Sequence, residues 1–177
     1  MLVPLPTRDI LLRLAVTGLF RARWSHEILD EMDSALISRG MAGSETVKRN
    51  RACMIAAIAD GIVTWPPGIA DHIPLDDPGD RHVIAAAISG AADVIVTANE
   101  RHFPRRLLDA HGLTVEHPDD FLVTTMTRDV SAAIVAVREQ RADLRKRPLD
   151  PGEFLLRFDR AGLPRTAEFL RDHLHAI

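Results

Sequence analysis

The sequence predicts an α/β fold, a three-layer sandwich with a central parallel sheet flanked by helices, followed by a helical appendage at the C-terminal end. Three features predict it. Short β-rich segments alternate with helical ones over residues 1–126, the pattern of a parallel sheet with crossover helices. The segment Asp93–Thr97 (DVIVT) is apolar and β-branched, as a buried central parallel strand should be. From Thr127 onward the periodicity is helical only, which sets residues 127–177 apart as an extension. With 177 residues, 46% of them hydrophobic, the chain can fill one substantial core and a small appendage, but not two full domains.

The elements follow in order. Residues Met1 to Pro4 are apolar and short. Pro6 and Thr7 open a helix through Ile10, Leu11, Leu14 and Ala15, ended by Gly18. Ser25 is the predicted N-cap of a second helix carrying Ile28, Leu29, Met32, Leu36 and Ile37, stopped at Arg39-Gly40. Ser44 is the predicted cap of a third, through Val47, Cys53, Met54 and Ile58, closed by Gly61, and Ile62 to Trp65 reads as a short strand. A proline-rich passage from Pro66 to Pro78 leads to an alanine-rich buried helix, Asp80 to Ile88, stopped by Gly90. After the DVIVT strand come a helix over Pro104 to Ala110, a strand over Leu113 to Val115 and a helical turn from Pro118. In the extension, one long helix runs from Val130 to Arg145. Asp150, Pro151 and Glu153 form a cap, first-turn proline and N3 acid that start a second, and Pro164 starts a third after the stop at Gly162.

Composition excludes several function classes. The net charge is −3, which argues against coating nucleic acid through bulk positive charge but leaves room for a carboxylate-lined metal site. No apolar run reaches the roughly 20 residues of a membrane-spanning helix, and the N-terminus carries no secretory pattern. Cys53 is the one cysteine, which excludes an internal disulfide and a thiolate zinc site and fits a reducing, cytoplasmic compartment. On its Ala-rich helical face it reads as a small buried hydrophobe. The eight histidines lack any zinc spacing and read as core or surface residues, with His82, which follows Asp80 on the same helix, read as packing ahead of a place near the site. There is no Gly-rich phosphate loop, GxSxG or SxxK motif.

In a parallel sheet, ligands sit beyond the carboxyl ends of the strands. Two polar segments fall there: Thr97-Ala98-Asn99-Glu100, leaving the DVIVT strand, and Asp76-Asp77-Pro78-Gly79-Asp80, entering the alanine-rich helix. From position alone Asp80 reads first as an N-cap and second as a metal ligand. Glu31 falls at the edge of the apolar stripe of its helix, where a surface glutamate is the default.

Together these segments resemble a known family. The stretch VPLPTRDILLRLA, then WSHEILDEM with Ser25 six residues before Glu31, and above all DDPGDRHVIAAAISGAADVIVTANERHFP, resemble the PIN domain of VapC-type toxins from bacterial and archaeal toxin–antitoxin pairs. The likeness covers about residues 1–123, and the tail DPGEFLLRFDRAGLPRTAEFL resembles the C-terminal helices of a VapC subgroup. The resemblance implies a metal-dependent endoribonuclease. Glu31, Asp80 and Asn99 would hold Mg²⁺ or Mn²⁺, both of which prefer oxygen donors, and Thr97 would orient a ligand. Asp77 would help through a water, with Ser25 in support, and Arg81 and Arg101 would contact substrate phosphates. It implies an RNA substrate, a cognate antitoxin and a homodimer. A non-catalytic PIN-fold binding module is the alternative, and a DNA-acting nuclease of the same fold is a third reading.

One departure from the family pattern stands out. The Asp-x-Asn that precedes the family's first-strand hydrophobics has no counterpart before Met1-Leu2-Val3, so one expected carboxylate is absent and weak or no cleavage is expected of the chain as it stands. The expectation is that the reading frame continues upstream into Asp-x-Asn. Sequencing the genomic DNA ahead of Met1 checks it: an in-frame stop with no such motif overturns it.

Overall fold

Local chemistry sets most element ends in the computed structural model, which describes residues 5–145 and 148–177. The first-strand reading of Met1-Leu2-Val3, and Lys146 and Arg147 of the basic cluster, lie outside the described residues. Among the described residues two units are distinct, one of Ala22–His117 and one that joins residues 5–21 to the chain from Pro118 onward.

In the first unit, α2 (His26–Ser38) starts at Ser25, whose buried Oγ accepts from the Ile28 N–H at 3.3 Å. Leu29, Met32 and Leu36 form its buried stripe, and Gly40 takes up the left-handed φ of 63° just past its end. Helix α3 (Ser44–Ala57) is capped by Gly43 rather than Ser44, which sits inside the first turn, and no side chain caps it. Its buried positions are Val47 and Met54, so Cys53 falls beside that stripe and is exposed, not buried as its Ala-rich surroundings suggested. Arg51 of α3 joins the two helices through ion pairs to Asp30 and Asp33, the latter at 3.1 Å, and lies 3.2 Å from His26 Nδ1. The hydrogen bond that it donates to the Asp30 carboxylate is the main cause that holds the guanidinium above its ordinary pKa.

The segment Ile62 to Trp65 makes a single parallel bridge, Trp24 to Ile62, instead of a full strand. Gly61 is required there, since a Cβ would lie 2.9 Å from Trp24 Cζ2. Among the described residues the sheet has two strands, β1 (Val94–Val96) and β2 (Thr114–Glu116), parallel with Ile95 opposite Val115. The α/β class with a parallel sheet therefore holds, on a smaller sheet than the sequence suggested, because each β-rich run yields three paired residues.

Helix α4 (Arg81–Ser89) buries Ile84, Ala85, Ala86 and Ala87. Small side chains let it lie close to β1, and Ile84, Ala85 and Ala87 share a core with Ile73, Leu75, Ile95, Phe103, Leu108 and Leu113. The turn between them is tight. A Cβ on Gly90 would meet the Ala86 carbonyl at 2.9 Å and Val63 Cγ1 at 3.1 Å, and Ala91 takes the left-handed φ of 47° that glycine would adopt more cheaply. A helix and a strand joined by such a turn run in opposite directions, so the start of α4 and the end of β1 lie together. Helix α5 (Arg105–Asp109) then leads into β2.

The second unit is helical: α1 (Leu5–Val16), α6 (Pro118–Arg128), α7 (Val130–Ala142), α8 (Pro151–Arg160) and α9 (Pro164–Arg171). Pro118 begins a full helix and not one turn, and α7 stops at Ala142, three residues short of the predicted end. Helix α1 packs on α7 and α8, with Ile10 and Leu14 fully buried. Asp150 caps α8 by accepting from the Glu153 N–H at 3.0 Å, and Phe154 and Phe158 meet edge to face at 5.4 Å. Helix α9 has Leu163 at its own N-cap position and no local side-chain cap. Buried Asp119 of α6 supplies the acceptors instead, taking the N–H groups of Arg165 (2.9 Å) and Thr166 (2.7 Å) and the Thr166 hydroxyl (2.7 Å).

Asp119→Ala leaves those donors without their acceptor, two of them in a buried setting, and should cost about 2–3 kcal/mol, read as a fall in thermal midpoint of roughly 5–10 °C. Asp120→Ala, which removes only the exposed pair with Arg165, should cost under about 1 kcal/mol. Equal losses in the two variants would refute the capping role.

Candidate metal centre

The end of β1 and the start of α4 bring together the polar residues of two separated segments. Thr97 is buried, and its N–H donates to the Glu116 carbonyl at 3.0 Å, extending the β1–β2 ladder by one bond. Its Oγ1 accepts from the Asn99 N–H at 3.1 Å, which fixes the turn carrying the exposed Asn99 side chain. A short 3₁₀ turn, Glu100–His102, follows and is anchored by buried Phe103.

Opposite it, Asp77 caps the 3₁₀ turn Pro78–Asp80, its Oδ1 accepting from the Gly79 N–H at 2.8 Å. Asp80 follows in the N-cap position of α4. Its backbone is αR, with φ −96° and ψ −2°, not the extended conformation of a capping residue, and its side chain makes no cap hydrogen bond. The helix-cap reading of Asp80 is therefore corrected. Its Oδ2 instead lies 2.7 Å from Nδ1 of His102, both side chains partly buried. Ligand atoms of Asp77, Asp80 and His102 all fall within 4.8 Å of one another.

Glu31 projects from α2, which packs against α4, and its Oε1 is 3.6 Å from Nε2 of His82. That nitrogen is buried and has no hydrogen-bond partner among the described residues, and the half-exposed Glu31 carboxylate is a charge within reach of it. Ser25 acts at the base of α2 and fixes where the helix carrying Glu31 begins. Arg81 directs Nε and Nη2 at the Leu75 carbonyl, at 3.3 and 3.1 Å, which ties the proline-rich passage to α4 and leaves part of the guanidinium for other partners. Arg101 is exposed.

Of the residues the sequence singled out, Asp77 and Asp80 sit in one ligand-sized group, Glu31 reaches α4 through His82, and Thr97 and Asn99 share one turn. His102 was missed. Its histidine spacing matches no zinc motif, and the available signal was only its place three residues after Asn99, on the same loop.

Comparison with known proteins adds the following. Residues 3–101 match the family model of the PIN domain, and residues 118–172 match that of the VapC50 C-terminal domain. Over 44 residues the chain is 52% identical to "Putative ribonuclease VapC50" of Mycobacterium tuberculosis (strain ATCC 25618 / H37Rv), a stretch covering 25% of this chain and 26% of that protein. The chain thus aligns with about a quarter of the length of the curated relative it matches. No solved structure matches it.

Because its carboxylate caps nothing, Asp80→Ala should cost under about 1 kcal/mol, losing only the partly exposed pair with His102. Chemical denaturation checks this. A loss above about 1 kcal/mol, the usual value of a removed cap, would restore the capping role.

Proposed function

This chain belongs to the PIN domain family, and from that premise we propose that it is a VapC-like, divalent-metal-dependent endoribonuclease. The observation that carries the reading is the Asp80 carboxylate, released from helix capping and grouped with Asp77 and His102. Carboxylate and amide oxygens make a donor set that fits a hard dication. We assign Glu31, Asp80 and Asn99 to hold Mg²⁺ or Mn²⁺, with Asp77 acting through a water. When bound, the ion supplies acidification of a water and charge compensation at the phosphate.

The chain's own residues do the positioning. Thr97 locks the Asn99 turn, and Ser25 fixes the helix that carries Glu31. Arg101, and the N–H groups of Arg81 that do not reach Leu75, are assigned to backbone phosphates of RNA, which guanidinium matches in geometry. Residues 1–126 form the nuclease domain in this reading and 127–177 its helical extension. A cytoplasmic homodimer controlled by a cognate antitoxin completes the proposal. No helix among the described residues is long and apolar enough to cross a membrane.

Purified protein incubated with RNA and Mn²⁺ or Mg²⁺ should release internal cleavage products, slowly at most while the family's Asp-x-Asn is lacking and readily once that motif is added ahead of Met1, and chelation with EDTA should stop them. Asp80→Asn should lower the rate at least about 100-fold, the upper end of what even indirect partners of a metal cost when mutated. Cleavage undiminished by EDTA or by Asp80→Asn would sink the proposal. RNA retention without cleavage would favour a binding module.

A further inference from the structure

We propose that His102 is itself a metal ligand, making the site a mixed nitrogen and oxygen centre that prefers Mn²⁺ and other transition-metal dications to Mg²⁺. The proposal rests on the reading of this group as a metal centre and deepens it. A dication about 2.1 Å from each donor holds neighbouring ligands roughly 3.0 Å apart and opposite ones roughly 4.2 Å apart. His102 Nδ1 and Asp80 Oδ2, at 2.7 Å, are already close to the spacing of neighbouring ligands. Asp77 lies within 4.8 Å of both and is exposed, a reach at which its carboxylate meets the ion through a water. The 2.7 Å between Nδ1 and Oδ2 is the distance of a shared proton, which metal binding would release to solvent. A dication would take the place of that proton, with Nδ1 and the carboxylate oxygen both turned on it.

The elements on either side hold the donors in place without using them up. Phe103, buried directly after His102, pins the 3₁₀ turn to the core, and Asp77 is held by the Gly79 N–H through Oδ1 alone. Imidazole is what separates the metals. Mg²⁺ favours oxygen donors and sheds water reluctantly, whereas Mn²⁺, which also prefers oxygen, tolerates an imidazole better, and the metals after it in the series accept nitrogen readily.

Pulsed electron paramagnetic resonance on the full chain loaded with Mn²⁺, paired with calorimetric titrations of Mn²⁺ and Mg²⁺, tests this. The parent protein should show ¹⁴N coupling to the Mn²⁺ that disappears in His102→Ala and in His102→Gln. Mn²⁺ affinity should fall about 10- to 100-fold in these variants, with Mg²⁺ affinity changing less than about threefold. Absence of ¹⁴N coupling in the parent, or its survival in His102→Ala, overturns the proposal. So does an equal loss for both metals, which would make His102 a hydrogen-bond partner of Asp80 and no ligand. In each of these cases, metal-dependent RNA cleavage by the parent would leave the nuclease reading standing. Binding of neither metal would end both.

Discussion

The close packing of α4 on β1 is the constraint from which the rest of the first unit follows. An alanine-rich face allows the helix to approach the strand, and the turn through Gly90 and Ala91 sends the chain straight back. Larger side chains at Ala85 or Ala87 would push the helix outward and separate its first residue from the loop that follows the strand. Apolar packing thus sets the distance between two polar groups that share no sequence proximity. Asp80 and His102 meet because Ile84, Ala87 and Ile95 do.

Electrostatics then distribute the carboxylates of α2. Arg51 neutralises Asp30 and Asp33 on the side of α3, one face of the helix. Glu31, one residue on from Asp30 and so about 100° around the helix, stays clear of that cation and faces His82 instead. The helix therefore keeps a negative group facing His82 of α4, and Asp77 and Asp80 bring two more together beside His102. Like charges gathered this way repel, and what relieves them is a cation or a hydrogen-bond donor. His102 supplies a donor.

Sequence reasoning did best where the determining chemistry is local. Ser25, the Asp150–Pro151–Glu153 start and the glycine stops at Gly18 and Gly162 act within a few residues, and each could be placed before any coordinates. Two features beyond its reach share a cause. Whether Asp80 caps its helix depends on a partner 22 residues away, and the cap of α9 comes from a helix 47 residues earlier, so neither could be inferred from neighbouring positions. Cys53 was misplaced because an alanine-rich helix shows no sharp apolar stripe, and composition alone does not say which side faces inward. Strand lengths were overestimated because β-branched residues mark burial as well as pairing. The segments of Glu31, Asp80, Thr97 and Asn99 were recognisable through their order and their likeness to a family, whereas His102 carries no signal until the loop is folded.

The bond between Asp119 and the start of α9 also bears on where this protein can be cut. Trimming the chain after Leu163 looks harmless, since the removed stretch is short and terminal. It would take away three of the donors that satisfy an interior anion of α6 and leave that charge to find water or a proton inside a packed helical layer. The closing helix is thus part of the solvation of α6, and a shortened protein would have to loosen at Asp119, far back in the chain, before it could do without it.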